Sequence, residues 1–158
     1  MKILVSGGGT AGHINPAIAI ARRMKKEYNA QILFIGREKG MENDLVKKEG
    51  FDIRFIEVEG LIRKLTLKNL KVLIKYITAI KKAKKIIRDL VVGTGGYVCA
   101  PVLTAANSLK IPTIVHEQNV FPGMTVKMAS GFVDCVAISF EDIKKYVPQK
   151  VAKKCVLT

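Results

Sequence analysis

Short runs of β-branched and aliphatic residues alternate along this chain with stretches in which apolar positions recur every three or four residues. That alternation of period two and period 3.6 is the sequence form of a parallel sheet covered by helices. The apolar runs predict strands at Lys2–Ser6, Gln31–Gly36, Ile53–Val58, Leu90–Gly93, Thr113–His116 and Asp134–Ile138. Helical spacing predicts helices at Pro16–Glu27, Met41–Glu49, Lys68–Arg88, Pro101–Leu109, Gly123–Ser130 and Glu141–Tyr146. Asn15 is placed to cap the first of these with Pro16 in its first turn, and Gly50 and Gly131 suit the positions just past two others. Neither an internal repeat nor a low-complexity linker interrupts the pattern, so the expectation is one α/β domain over residues 1–158.

The stretch from Lys68 to Arg88 carries two stripes at helical spacing. Leu70, Leu73, Ile77, Ile80 and Ile87 form an apolar one, and Lys68, Lys71, Lys75, Lys82 and Lys85 a basic one. A core-facing helix with a solvated basic side accounts for this pattern. Leu61, Ile62, Leu65 and Leu67, however, precede it among Arg63 and Lys64 without extending the apolar stripe. Such a mixture also suits a membrane-surface element, where apolar insertion combines with about 1 kcal/mol per well-placed basic residue.

Charge sharpens the second reading. The chain has 158 residues, 27 Lys plus Arg and 13 Asp plus Glu, for a net charge of +14. Ten of the basic residues, and no acidic ones, fall between Leu61 and Arg88, so the remaining surface is nearly balanced. A local basic patch points to a polyanionic partner: lipid headgroups, nucleic acid or a phosphorylated ligand. Nucleic acid is the weaker choice, because no helix-turn-helix, zinc-finger or RNA-recognition signature accompanies the patch and its bases are interleaved with aliphatic rather than stacking aromatic residues.

Composition excludes other classes. A hydrophobic fraction of 49 % argues against disorder. Cys99, Cys135 and Cys155 are odd in number and form no CxxC pair, which suggests neither a disulfide framework nor a zinc site and fits a reducing cytoplasm. The N-terminus is broken by Gly7 too early for a signal peptide. Leu90–Leu109 is uncharged and long enough to span a bilayer, but Gly93, Gly95, Gly96 and Pro101 interrupt it, so no transmembrane segment is expected.

Ligands of an open parallel sheet bind beyond the carboxyl ends of its strands. Three loops there carry unusual residues. Gly7-Gly8-Gly9-Thr10-Ala11-Gly12-His13 leads from a strand into a helix, where glycines permit close backbone approach and the helix end supplies free N–H groups, a setting suited to a diphosphate. Gly93-Thr94-Gly95-Gly96-Tyr97-Val98-Cys99-Ala100-Pro101 repeats the arrangement, with Tyr97 available for packing or hydrogen bonding and Cys99 expected as a small buried filler. His116-Glu117-Gln118-Asn119 places four polar residues after a β run, costly in a core and therefore expected at a site. Both histidines of the chain, His13 and His116, fall on this edge. Gly7-x-Gly9-x-x-Gly12 also matches the dinucleotide fingerprint, with Glu38 as a late acidic companion and Arg37 as a hint of a 2′-phosphate, so an NAD(P)-binding module is the alternative reading.

In their order and spacing, the segments Gly8–Pro16, Gly93–Pro101 and His116–Asn119 resemble the N-terminal half of the bacterial peptidoglycan N-acetylglucosaminyltransferases, which convert lipid I to lipid II. The resemblance spans essentially the whole chain. It implies a GT-B glycosyltransferase, with two Rossmann-like domains facing across a cleft. The first domain receives the membrane-bound acceptor, lipid I, and the second holds most of the donor, UDP-GlcNAc.

Carried over by position, Thr10, Ala11, Gly12 and Asn119 would reach the donor. Gly9, His13, Gly95, Gly96 and Tyr97 would line the acceptor and its diphosphate, and Arg63, Lys64, Lys68, Lys71 and Lys75 would meet the membrane. His13 is the first candidate base and Glu117 the second. The resemblance further implies no metal or cofactor, an anionic membrane surface as a partner, no nucleic acid, and a peripheral location on the cytoplasmic face. The chain ends at Val156-Leu157-Thr158, about where that family crosses into its second domain, so the expectation is a half with little or no transfer activity alone. Two departures stand out: Ala11 where many relatives have glycine, and a short Arg88-Asp89-Leu90 connection where they have a longer turn.

Overall fold

A computed structural model describes residues 1–60 and 68–158, with the side chains of residues 68 and 69 left aside. Among the described residues seven strands form one fully parallel sheet: β1 (Lys2–Ser6), β2 (Gln31–Gly36), β3 (Asp52–Phe55), β4 (Leu90–Gly93), β5 (Thr113–Glu117), β6 (Cys135–Ile138) and β7 (Cys155–Leu157), in the order β3-β2-β1-β4-β5-β6-β7. The order reverses at β1, whose neighbours are β2 on one side and β4 on the other. Crossover helices are α1 (Ala11–Tyr28), α2 (Met41–Lys48), α3 (Lys68–Lys84), α4 (Cys99–Ser108) and α5 (Met124–Ala129). A 3₁₀ turn at Glu141–Tyr146 and a short α6 (Gln149–Ala152) link β6 to β7.

Strand alternation decides the two cores. Ile3 and Val5 of β1, Phe34 of β2 and Val92 of β4 pack with Ile14, Ala17, Ile18 and Ala21 of α1 and Val46 of α2. On the other face Leu4, Ile35, Val91, Val115 and Val136 pack with Ala79 and Ala83 of α3, Val102, Leu103 and Ala106 of α4, and Val126 of α5. Successive strand residues thus serve opposite layers, which is why these strands read as continuous apolar runs.

Several expected boundaries move. Helix α1 starts at Ala11, directly out of the first glycine turn, with Thr10 rather than Asn15 as N-cap and Pro16 inside the helix. Pro16 there gives up only the bond its nitrogen would have donated to the Gly12 carbonyl, a loss a helix near its start tolerates. Gly50 adopts φ +73° just past α2, as a helix end requires, whereas Gly131 has no positive φ and Ser130 closes α5 in right-handed geometry. Strand β3 ends at Phe55 instead of Val58, and the Glu141–Tyr146 segment winds as 3₁₀. Strand β7, short and largely exposed, had no apolar signature to find.

The largest correction concerns α3. Its buried positions are Val72, Ala79 and Ala83, and Tyr76 bonds Thr104 of α4 at 3.0 Å between hydroxyls. Leu70, Leu73, Ile74 and Ile77, expected in part to face the core, are 47–58 % exposed. Alanines let α3 lie close on α4, and that rotation turns the larger aliphatic residues outward.

The carboxyl ends of β1 and β4 meet through glycine backbone. Gly95 and Gly96 adopt φ +106° and +80°, and a Cβ on Gly96 would collide with the Gly8 carbonyl. Replacing Gly96 with Ala is therefore expected to cost about 2–5 kcal/mol in urea unfolding, from left-handed strain plus overpacking. Gly12→Ala, whose Cβ meets nothing nearer than Thr10 Oγ1 at 3.7 Å, should unfold close to the unaltered chain.

Candidate functional site

Three turns gather at the switch point of the sheet, where a parallel α/β fold opens its crevice. The first, Gly7–Thr10, follows β1 and runs into α1; the second, Thr94–Val98, follows β4 and runs into α4; the third, Gln118–Gly123, follows β5 and runs into α5. The first two touch backbone to backbone, with the Gly8 amide donating to the Gly95 carbonyl at 3.4 Å. Thr94 ties them from the side, its hydroxyl donating to the His13 carbonyl at 2.6 Å and its own amide to the Ser6 carbonyl at 2.9 Å. Thr125 of α5 holds the second turn by donating to the Gly96 carbonyl at 3.2 Å.

His13 joins the turns. Its ring lies against Gly95, where a Cβ would strike Nδ1 and Cε1, and Nδ1 sits 3.1 Å from the Thr94 carbonyl oxygen. A carbonyl only accepts, so Nδ1 carries the hydrogen and the lone pair of the neutral ring resides on Nε2. The Gln118 side-chain amide also reaches Nδ1, with its nitrogen at 2.9 Å while its oxygen is buried without a partner. With that amide turned by half, its oxygen gives the ring N–H a second acceptor and its nitrogen takes the buried position of the oxygen. Among the described residues Nε2 has no hydrogen-bond partner.

Glu117 has a different task from the one expected second to His13. It is 1 % exposed, and its carboxylate accepts from the Asn119 amide at 3.0 Å, the Asn119 side chain at 2.9 Å and the Gly123 amide at 2.7 Å. Every one of these bonds fastens the third turn, so Glu117 fixes where Asn119 points and has no free oxygen directed outward. Its neighbour His116 bonds Ser139 at 3.3 Å through Nε2, and its Nδ1 is buried without a partner. Burial pushes the His116 pKa down, against smaller upward pulls from Gln118 and Glu117. Cys99 is fully buried and burial pushes its thiol up to about 12, so it fills space under Gly93 and is no nucleophile at neutral pH.

Glycine amides are not all available to a ligand. The Gly9 N–H, at φ +88°, donates to Glu42 of α2 at 3.2 Å, which removes it from the expected diphosphate contacts. Ala11 and Gly12 sit in the first turn of α1, where backbone amides have no intrahelical acceptor. Among the described residues no acceptor inside the protein takes the amides of Gly96 or Tyr97, whereas the Gly95 amide is turned toward the buried Cys99 sulfur. Unpaired amides at the positive end of a helix are groups of the kind that can receive an anion.

Tyr97, 38 % exposed, lies beside Gly9 and carries the Arg37 guanidinium over its ring at 4.8 Å. Sequence reading missed Arg37 in this role, and it missed Glu42, Gln118 as the partner of His13, and Thr94. The one signal for Glu42 was its place among Gly8, Gly36 and Gly40, each of which leaves room for its carboxyl group. Glu38, the acidic companion a dinucleotide site would need, is exposed, and nothing in this site favours the NAD(P) reading.

Of the expected membrane-facing bases, Arg63 and Lys64 lie outside the described residues, as do Leu61, Ile62, Leu65 and Leu67. Lys71 is exposed on α3, and Lys75 is paired with Glu59, whose hydrogen bond raises its pKa. No helix among the described residues is long and apolar enough to cross a membrane. A cleft of about 1150 Å³ opens at the opposite edge of the sheet among Lys2, Lys25, Phe51, Arg54 and Arg88, and contains none of the three turns. Backbone geometry marks the site here, and volume does not.

The doubly wound parallel sheet, with glycine turns back to back at its switch point, has the architecture of the Rossmann-like half of a GT-B glycosyltransferase. Residues 3–138 match the glycosyltransferase family 28 N-terminal domain, and the chain belongs to that family. Over its whole length it is 55 % identical to the UDP-N-acetylglucosamine--N-acetylmuramyl-(pentapeptide) pyrophosphoryl-undecaprenol N-acetylglucosamine transferase of Caldanaerobacter subterraneus subsp. tengcongensis, of which it covers 44 %. The protein of the same name from Acetivibrio thermocellus is 54 % identical over 95 % of the chain, which spans 42 % of it. The chain thus spans less than half the length of these relatives. Among solved structures, Acinetobacter baumannii MurG superposes on 99 % of the chain with a TM-score of 0.82 and 32 % identity, the match covering 45 % of that protein. Staphylococcus aureus MnaA in its complex with UDP gives a TM-score of 0.73 over 99 % of the chain and 44 % of its own, at 10 % identity, a likeness of fold alone.

His116 generates a pH prediction. Its folded-state pKa lies below the value of about 6.5 it takes when unfolded, so the unfolded chain gains a proton that the folded chain resists as pH falls through that value. Stability should therefore drop between about pH 7.5 and pH 5.5, and His116→Gln should remove part of that slope in urea titrations at the two pH values.

Proposed function

We propose that this chain is the acceptor-binding half of an inverting N-acetylglucosaminyltransferase, which moves GlcNAc from UDP-GlcNAc to the C4 hydroxyl of MurNAc in lipid I and yields lipid II for peptidoglycan synthesis. The observation that carries the proposal is the pair of interlocked glycine turns presenting free amides beside a histidine of fixed tautomer. The relatives' names support it, since they specify a pyrophosphoryl-undecaprenol acceptor and an N-acetylglucosamine donor.

In this reading the amides of Gly96 and Tyr97 receive the acceptor diphosphate with Gly95 lining it, Tyr97 packs on the lipid-linked sugar, and Thr10, Ala11, Gly12 and Asn119 reach the donor. The C4 oxygen attacks donor C1 as the bond from C1 to UDP breaks, with inversion at C1. The hydroxyl proton passes to His13 Nε2, whose lone pair the Thr94 carbonyl has directed outward. General-base assistance of this kind contributes about 10²- to 10⁴-fold. Glu117 acts by orienting Asn119 rather than by taking the proton.

Titration of the isotope-labelled chain with a soluble, short-chain lipid I analogue tests the reading. Amide shifts should cluster at Gly95, Gly96, Tyr97 and His13. UDP-GlcNAc should act chiefly on Thr10, Ala11, Gly12 and Asn119, and NAD(H) should leave all of them in place. Shifts scattered over the opposite edge of the sheet would reject the proposal.

The exposed aliphatic surface of α3 supports peripheral attachment to an anionic membrane on the cytoplasmic face. Leu70, Leu73, Ile74 and Ile77 would enter the headgroup boundary with Lys71 beside them. The double substitution Ile74→Ser, Ile77→Ser should reduce co-sedimentation with anionic vesicles by about tenfold or more, from two lost apolar side chains. Vesicle binding by the unaltered chain should exceed DNA binding at every salt concentration, and the reverse order would replace the membrane with nucleic acid.

A further inference from the structure

Glu42 is a carboxylate in the first turn of α2, 1 % exposed, and no part of the proposed chemistry uses it. A buried charge of this kind is costly unless its oxygens are fully engaged. Here they are. One oxygen accepts from the Gly9 amide at 3.2 Å, and the other accepts from the Arg37 amide at 3.0 Å and from Arg37 Nε at 3.3 Å. Gly8, Gly36 and Gly40 surround it, and a Cβ on any of the three would collide with its side chain. The backbone of β1's turn, the end of β2 and the start of α2 have thus been cleared of side chains around one carboxyl group.

The bonds lead outward to the site. Gly9 holds φ +88° and lies against the Tyr97 ring, and the Arg37 guanidinium stacks on that same ring at 4.8 Å. Arg37 is half-buried and has Glu42 as its ion-pair partner. A single carboxylate therefore grips both the turn beneath Tyr97 and the cation above it. Because both oxygens face inward, Glu42 cannot reach a ligand itself.

We infer that Glu42 is a positioning residue of the acceptor site: it holds the first glycine turn and the Arg37–Tyr97 pair in the geometry that receives a diphosphate-linked ligand. The inference rests on the function proposed above for its ligand, but not for its geometry. Its negative charge also accounts for why Gly9 is withdrawn from anion binding, which leaves that task to the amides of α1 and of the second turn.

Glu42→Gln tests this, because the substitution keeps the shape while placing an NH₂ group against either the Gly9 N–H or Arg37. In spectra of the free chain the Gly9 amide proton should lose its hydrogen-bonded shift and exchange faster with solvent, and the Tyr97 ring signals should move. The dissociation constants of inorganic pyrophosphate and of the soluble lipid I analogue should each rise about tenfold or more, the loss expected for a hydrogen bond to a charged group. Arg37→Gln, at the half-exposed end of the chain of contacts, should move the Tyr97 signals and weaken both probes while leaving Gly9 unchanged, and it serves if Glu42→Gln does not fold. A role in stability alone would lower the urea midpoint of Glu42→Gln and leave both dissociation constants as they were, which would overturn the inference. Unchanged Gly9 and Tyr97 signals would overturn it as well. Should the unaltered chain bind pyrophosphate but not the analogue, the proposed acceptor fails while Glu42 is still judged on pyrophosphate. If it binds neither probe, the free-chain signals alone decide.

Discussion

Contact between two stretches of bare backbone, Gly8 against Gly95 and Gly96, governs the geometry of the site. Side chains cannot enter this contact. The turns after β1 and β4 can approach so closely only because each offers glycine at the point of meeting, two of them in left-handed conformations closed to most residues. From that approach follow the position of Thr94 across the seam and the seating of the His13 ring on Gly95. Of the second turn, the Gly95 amide turns inward to the Cys99 sulfur, while those of Gly96 and Tyr97 take no acceptor among the described residues. The sheet supplies the constraint that makes the contact possible, since β1 and β4 are hydrogen-bonded neighbours where the strand order reverses.

Around this seam two buried glutamates play parallel parts. Glu42 fastens the first turn from the β2 side, and Glu117 fastens the third turn from the β5 side. Each is 1 % exposed and each spends its oxygens on backbone amides and a neighbouring side chain. Turns rich in glycine are entropically expensive to order, and a carboxylate with several charge-assisted bonds offsets that cost without closing the site.

The exposed apolar residues of α3 lie on a different element from the three turns of the site. Helix α3 lies on α4 through alanines and presents Leu70, Leu73, Ile74 and Ile77 outward, although a helix this apolar would ordinarily bury them. Its bases are unequal in effect, because Lys75 is neutralised by Glu59 whereas Lys71 is open to solvent.

The α/β class, the six principal strands, the parallel arrangement and the three motif loops were legible in the sequence, because periodicity and glycine placement are local signals that survive without tertiary information. The family resemblance, carried by those same loops, agrees with the family 28 match. What the sequence could not determine is how side chains from distant segments share a partner. Glu117 reads as a base until Asn119 and Gly123 close on it, Gly9 reads as an anion ligand until Glu42 claims its amide, and Leu70 reads as core until alanines rotate α3. Hydrogen-bond capacity and buried surface are finite, and which groups consume them is settled only when the chain has folded.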